Sequence, residues 1–166
     1  MSLLPVSRII ANGALKLGGS TILWYKAQTC PAYRRNGKPC YDNDSGSNWI
    51  DCQVCGGTGL AYTKKPRAIK GIYTDNSNEF LPDGNGGFLT GKKTLSLPWD
   101  LDISLMKHRG YYSDGQMAPR EVLKDKFVIL SPEGKVAEVV YLEKDPVKPT
   151  INSGTIYQHV EVSNNS

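Results

Sequence analysis

Histidine is nearly missing from this chain. Its 166 residues include two, His108 and His159, neither near a cysteine nor in a recognisable order with a serine. That scarcity removes mixed cysteine–histidine metal sets and histidine-activated nucleophiles from consideration, and both residues are expected on the surface or on strands. Long apolar runs are missing too. No segment approaches the ~20 residues needed to cross a bilayer. The mildly apolar stretch Met1–Gly19 is interrupted by Pro5, Arg8, Asn12 and Lys16, so it reads as neither a span nor a secretory leader. The expectation is a chain that folds in a reducing cytoplasm without a membrane. Charge of either sign is modest, with a net +4. That excess sits in one place. Between Cys30 and Lys70 stand Arg34, Arg35, Lys38, Lys64, Lys65, Arg67 and Lys70 against Asp42, Asp44 and Asp51.

Cysteine is also sparse, but its four copies are all confined to one stretch: Cys30, Cys40, Cys52 and Cys55. The last pair opens Cys52-Gln-Val-Cys55-Gly-Gly-Thr-Gly59. Two thiolates two residues apart can reach one tetrahedral ion from a single turn. The glycines that follow allow left-handed backbone angles, which aim N–H groups back at sulfur. Cys30 and Cys40 complete the pattern Cys-x9-Cys-x11-Cys-x2-Cys, with an unusually wide first spacing. The reading is a four-cysteine structural zinc site. Its competitors are two disulfides, which need an oxidising compartment, a redox dithiol, and iron, which a four-thiolate tetrahedron also suits.

The remaining signals are β. Ser7–Leu17 reads as a short amphipathic helix carrying Ile9, Ile10, Leu15 and Leu17, ended by Gly18-Gly19. Thr21–Ala27 and Ala68–Tyr73 read as strands. In Leu95–Leu105, Leu95, Leu97, Trp99, Leu101, Ile103 and Leu105 alternate with polar residues and proline, predicting a strand with one buried face and a break or an edge at Pro98. Lys126–Leu130 and Val136–Leu142 flank Ser-Pro-Glu-Gly and form a hairpin. Thr155–Val162 is a last strand, and Tyr111–Asp125 holds one helical turn or two. The fold class is mainly β: a small β-barrel or sandwich with a short N-terminal helix and an inserted zinc module. Residues 1–29 give the helix and first strand, 30–62 the insert, and 63–166 the rest of the body. Gly86–Lys92 matches a phosphate-loop string, but it runs into a strand where a helix is required. Asp83–Gly87 reads as a hairpin tip. No residue is assigned as nucleophile or general base, so no enzymatic activity is expected.

An N-terminal helix and strand, a cysteine stretch Cys30-Pro-Ala-Tyr…Gly37-Lys-Pro-Cys40…Cys52-Gln-Val-Cys55-Gly-Gly-Thr-Gly59, and strands carrying Leu-Pro-Trp-Asp and Lys-Asp-Lys-Phe-Val-Ile resemble small virion proteins of tailed bacteriophages. These are neck proteins of the head-closure (stopper) or head–tail connector type. In that group the insert usually opens with a close cysteine pair; here Tyr33 stands at that point and Cys40 is the second cysteine. The resemblance implies a non-enzymatic β-barrel subunit repeated in a ring of six or twelve around the tail axis. It implies portal or adaptor and tail proteins as partners, contact with packaged DNA, and a place in the virion after assembly in the host cytoplasm. The alternative from the residues themselves is a zinc-stabilised nucleic-acid-binding module. It would use the basic segment with Tyr33, Tyr41, Trp49 and Tyr62 as stacking aromatics.

Overall fold

The structure is a computed structural model that describes residues 4–42, 47–76, 80–82, 88–103, 106–111, 117–151 and 154–164. Its body is a closed six-stranded barrel, which settles the choice between barrel and sandwich. The strands run in the order Ser20–Tyr25, Lys126–Leu130, Val136–Leu142, Tyr157–Ser163, Lys93–Pro98 and Arg67–Asp75, and the last pairs with the first. Every neighbouring pair is antiparallel.

Alternation along each strand decides which side chains fill the barrel. Trp24 lies opposite Phe127, and Ile22 lies between Ile129 and Ile69. Val160 faces Leu95, and Leu142 faces Val162. These residues, with Leu97, Leu101, Ile103 and Val140, form one buried cluster. Gly71 belongs to the same interior. A Cβ there would lie 2.6 Å from a Leu97 methyl and 2.8 Å from an Ile22 methyl, so this position of the barrel wall has room for hydrogen only. The expected hairpin between Lys126–Leu130 and Val136–Leu142 is present. It turns at Gly134 with φ 79° and carries a register shift after Ile129.

Several expectations need correction. The Leu95–Leu105 period does not make one strand: the strand ends at Pro98, and Trp99-Asp100 forms a turn. Pro98 has no N–H to continue the ladder, and the break falls there. Leu101 and Ile103 still enter the core from the irregular segment beyond, so the period marked burial correctly and strand length wrongly. Of Tyr111–Asp125, expected to hold one helical turn or two, Met117–Leu123 is instead a strand, and residues 112–116 lie outside the described residues. This strand pairs with Met106–Tyr111, with a shift between His108 and Arg109. Backbone pairing with a partner strand outweighed a weak local propensity. The last strand starts at Tyr157; Gly154–Thr155 belongs to a separate small hairpin with Thr150–Ile151. Asp83–Gly87 lies outside the described residues. Its flanks, Phe80–Pro82 and Phe88–Thr90, pair antiparallel as a hairpin requires, and the Phe88–Thr90 strand occupies the interior of the phosphate-loop string. His108 and His159 are both on strands.

The helix, α1 (Leu4–Gly18), lies against the Arg67–Asp75, Lys93–Pro98 and Tyr157–Ser163 strands. Leu15 is its buried residue. The Arg8 guanidinium stacks 3.7 Å over the Trp99 ring and donates from Nε to the Thr155 carbonyl. At its exit the Gly19 N–H donates to the Leu15 carbonyl; a Cβ on Gly19 would sit 2.8 Å from the Gly71 carbonyl oxygen, so the chain passes closely over the barrel wall. Of the helix residues expected to form the apolar face, Ile9, Ile10 and Leu17 point to solvent. The apolar residues of α1 lie on both sides of it, and the barrel covers one.

Candidate metal centre

The cysteine segment leaves the barrel at the end of the Ser20–Tyr25 strand and returns through a short base, in which Ala27–Thr29 pairs with Leu60–Tyr62. Asp125 fixes this base to the barrel. Its carboxylate accepts the Trp24 indole N–H at 2.8 Å and the Ala27 N–H at 2.7 Å. Burial pushes the Asp125 carboxyl above its usual range, and those two donors work against the rise. Tyr62 donates its hydroxyl to the Lys124 carbonyl, and the Lys126 ammonium lies over the rings of both Tyr25 and Tyr62.

The wide Cys30–Cys40 spacing has a simple geometric cause. The residues between them fold into a tight hairpin with Tyr33 bridged to Pro39. Arg34 and Lys38 are joined at 2.7 Å, and Gly37 turns the chain at φ 77°. The Cys40 N–H then donates to the Ala32 carbonyl at 2.7 Å, which carries Cys40 back beside Cys30. Nine intervening residues thus act as a short spacer.

The second pair sits in the turn predicted for it. Gly56, Gly57 and Gly59 all take positive φ, at 60°, 85° and 77°. The Gly56 N–H donates to the Cys52 carbonyl, and the Gly59 N–H lies 3.3 Å from the Cys55 sulfur. Gly57 lies so close to the Ile50 carbonyl that a Cβ would fall 2.6 Å from its oxygen. Two bonds join the halves: the Cys30 N–H to the Gly59 carbonyl and the Trp49 N–H to the Cys40 carbonyl.

All four sulfurs lie within 4.8 Å of one another. Cys30 and Cys52 are 3.7 Å apart, and Cys40 and Cys55 are 3.6 Å apart. A tetrahedral ion with metal–sulfur bonds of ~2.3 Å requires sulfurs about 3.8 Å apart, whereas a disulfide requires about 2.05 Å. All four thiols are free, and Cys30, Cys40 and Cys52 are buried. The cluster therefore has the size and chemistry of a metal cage, with Ala32, Trp49 and Ala61 packed around it.

The electrostatics suit anionic sulfur unevenly. Burial drives the Cys30 and Cys40 thiols upward, the latter aided by its neighbouring cysteines. At Cys52 burial acts in the same direction, but the backbone of Cys55 and Val54 and the adjoining thiols outweigh it, and the group falls to about 7. Cys52 forms a thiolate more readily than Cys30 or Cys40, and those two need a cation to hold their charge.

The four aromatics proposed for stacking do not share one face. Tyr41 is buried at 9% exposure, and Tyr62 is tied to the barrel base. Tyr33 is exposed, and with Arg34, Arg35 and Trp49 it borders an open groove on the module. Asp125 and Gln158, which hold the structure together, carry no sequence signal beyond their polarity. Gln158 directs its side-chain N–H groups at the carbonyls of Pro98, Trp99 and Leu101, stabilising the turn that ends the Lys93–Pro98 strand.

No protein-family model matches the chain, and no curated protein matches it either. Its class is defined by architecture alone: a closed six-stranded antiparallel barrel bearing a four-cysteine cluster on a two-stranded base.

Proposed function

We propose that the four thiolates hold one structural zinc ion and that the chain is a non-enzymatic subunit of a tailed-phage virion at the head–tail junction. Copies form a ring there, between portal or adaptor proteins and the tail. Zinc is the ion of choice because four sulfurs leave it no open position, the arrangement of a structural and not a catalytic site.

The observation that supports a structural subunit is the use made of the two buried polar side chains among the described residues. Asp125 and the side-chain N–H groups of Gln158 are committed to backbone and indole partners that hold the fold, while the buried Gln158 Oε1 has no partner among the described residues. A closed barrel also has no free sheet edge, so contacts with neighbours fall to what projects from it. The cysteine module and the Phe80–Pro82/Phe88–Thr90 hairpin are among the parts not needed to close the barrel.

The test is particle assembly with and without the gene. The expected result is that the protein co-sediments with particles and that heads and tails fail to join without it. Fully infectious particles lacking the chain would refute the virion role.

The groove bordered by Tyr33, Arg34, Arg35 and Trp49 favours a second reading, a zinc-stabilised nucleic-acid-binding module. Its signature is binding of the isolated chain to single strands that weakens steeply with salt.

A further inference from the structure

The cysteine module carries positive charge that the described residues do not neutralise. Every ion pair among them lies on the barrel or at its base. Arg34, Arg35, Lys38, Lys64 and Lys65 belong to none of these pairs. The Arg34 guanidinium is only partly used: Nη2 donates to the Cys40 carbonyl at 3.4 Å, and the buried Nε–H has no acceptor. A guanidinium fork with donors to spare fits the oxygens of a phosphate.

Arg34 and Arg35 line one side of an open groove of about 830 Å³. The other side comes from residues 49–54 and brings the Trp49 ring, the Asp51 carboxylate and the Gln53 amide. A second hollow of about 460 Å³ shares Ala32 and Tyr33 with the first, so the concave surface runs on past the exposed Tyr33 ring. That shape suits an extended chain better than one small molecule.

The two sides differ in chemistry, and the difference selects the occupant. A single strand of nucleic acid has phosphates along one edge and bases along the other. Guanidinium groups take the phosphates, an indole face stacks on a base, and a carboxylate or amide oxygen accepts from a base amino group. An acidic peptide would satisfy the arginines, but it would bring carboxylates against Asp51 and offer Trp49 no flat partner. A duplex keeps its base faces stacked on one another and away from Trp49.

The cysteine cluster ties the two sides together. Cys40 donates its N–H to the Ala32 carbonyl on one side and accepts the Trp49 N–H from the other. The same Cys40 carbonyl takes the Arg34 bond. The Cys30 and Cys52 sulfurs, 3.7 Å apart, join the sides again, and both Ala32 and Trp49 pack on the cluster. Each of these links runs through a cysteine, so whatever holds the cluster closed also shapes the groove.

We propose that this groove binds single-stranded nucleic acid, with phosphates on Arg34 and Arg35 and a base on Trp49, and that metal binding at the cluster and strand binding in the groove strengthen each other. The coupling is reciprocal, because two ligands that favour one conformation raise each other's affinity by the same factor. The inference rests on the nucleic-acid reading above and does not need the virion role.

The experiment is fluorescence anisotropy of labelled deoxycytidine and cytidine oligomers of about ten nucleotides, titrated with the full-length, zinc-loaded chain across a salt series. The two oligomers share phosphates and bases, and the tighter one tells DNA from RNA. The double variant Arg34→Gln with Arg35→Gln is expected to reduce the slope of log affinity against log salt by about 1.4, two contacts at about 0.7 each. Lys135→Gln, at the far end of the Lys126–Leu130 strand, should leave the slope unchanged. Tyr33→Ala removes an exposed ring and should weaken binding about fivefold or more. Elemental analysis verifies that each variant keeps its metal. Chelation is expected to weaken strand binding about tenfold or more, and saturating strand to tighten zinc by the same factor in competition with a chromogenic chelator. A wild type that binds neither oligomer would overturn the proposal together with the nucleic-acid reading. Where binding is present, an unchanged salt slope in the arginine double variant, or equal affinity with and without metal, would overturn the proposal alone. Displacement by poly-glutamate as readily as by unlabelled strand would overturn it in favour of an acidic chain.

Discussion

The carboxylate of Asp125 accepts the indole N–H of Trp24 from the barrel interior, across 101 positions of sequence. Its second oxygen takes the N–H of Ala27, the first residue of the module base. One side chain therefore joins the core to the stalk of the cysteine cluster. Truncating it in Asp125→Ala leaves two buried donors without acceptors, each costing about 1–3 kcal/mol. The expected loss is about 2–4 kcal/mol in urea unfolding, with faster amide exchange at Ala27–Thr29 than in the Val136–Leu142 strand. Asp125→Asn keeps one acceptor and should lose less. Equal exchange in both regions would argue against a linking role.

Metal removal should separate the two parts of the molecule. Apparent zinc affinities of small finger peptides are on the order of 10–16 kcal/mol, far above what Trp49 and the exposed Ile50 contribute by packing. Chelation, or Cys55→Ser, is expected to release amide protection between Cys30 and Gly59 while the six barrel strands retain theirs. Elemental analysis under reducing conditions should give about one zinc per chain. Cobalt substitution should give the visible bands of a tetrahedral thiolate site. Loss of protection in both regions together would show that they share one cooperative unit.

Gly56 and Gly57 should respond differently to alanine. Both have positive φ, so each substitution costs about 1–2 kcal/mol of backbone strain. At Gly56 the added carbon meets nothing, whereas at Gly57 it collides with the Ile50 carbonyl. Gly57→Ala is therefore expected to weaken metal binding more than Gly56→Ala, as read by competition with a chromogenic chelator. A larger effect at Gly56 would contradict the geometry of the turn.

Acid should loosen the barrel at one end. Glu138 accepts from Lys93 and Tyr73, at 2.5 and 2.6 Å, and from Asn164. Burial raises its pKa, but these donors outweigh burial and leave it below the ordinary value. Glu143 and Glu161 are also lowered, first by Ser163 and by Lys92 respectively. A carboxyl group whose folded pKa lies below its unfolded one stabilises the protein above the unfolded value and loses that contribution as pH falls through the folded value. The urea midpoint is thus expected to fall on acidification below about pH 4.5, the ordinary value of a glutamate carboxyl. Glu138→Gln should flatten that fall. Asp125, shifted the other way, opposes it: its contribution is present at low pH and is lost as pH rises from its unfolded value through the raised folded one. A midpoint that rises steadily on acidification would mean Asp125 dominates.

Local pattern and tertiary context divided the legible from the illegible. Cys52-Gln-Val-Cys55-Gly-Gly announced its turn because two-residue spacing and glycine constrain the backbone within a few bonds. The Ser-Pro-Glu-Gly hairpin was readable for the same reason, as was alternation at Leu95 and Leu97. Leu101 and Ile103 kept the buried phase after the strand ended because burial depends on which side faces the core, and strand length depends on a hydrogen-bonding partner. Met117–Leu123 resembled a helix because its partner, Met106–Tyr111, was not visible in local propensity.

By itself the sequence determined that Cys52 and Cys55 would share one turn, that the chain would be built of short strands, and that a helix would precede them. These follow from spacing, φ preferences and periodicity, all short-range. Only the tertiary structure decided that the strands close into a barrel, since closure depends on the register between Arg67–Asp75 and Ser20–Tyr25. It alone turned Ile9, Ile10 and Leu17 outward, because the barrel has room for one face of α1. It alone placed Cys40 beside Cys30, because that proximity rests on hydrogen bonds across the Tyr33–Pro39 hairpin, which spacing cannot express.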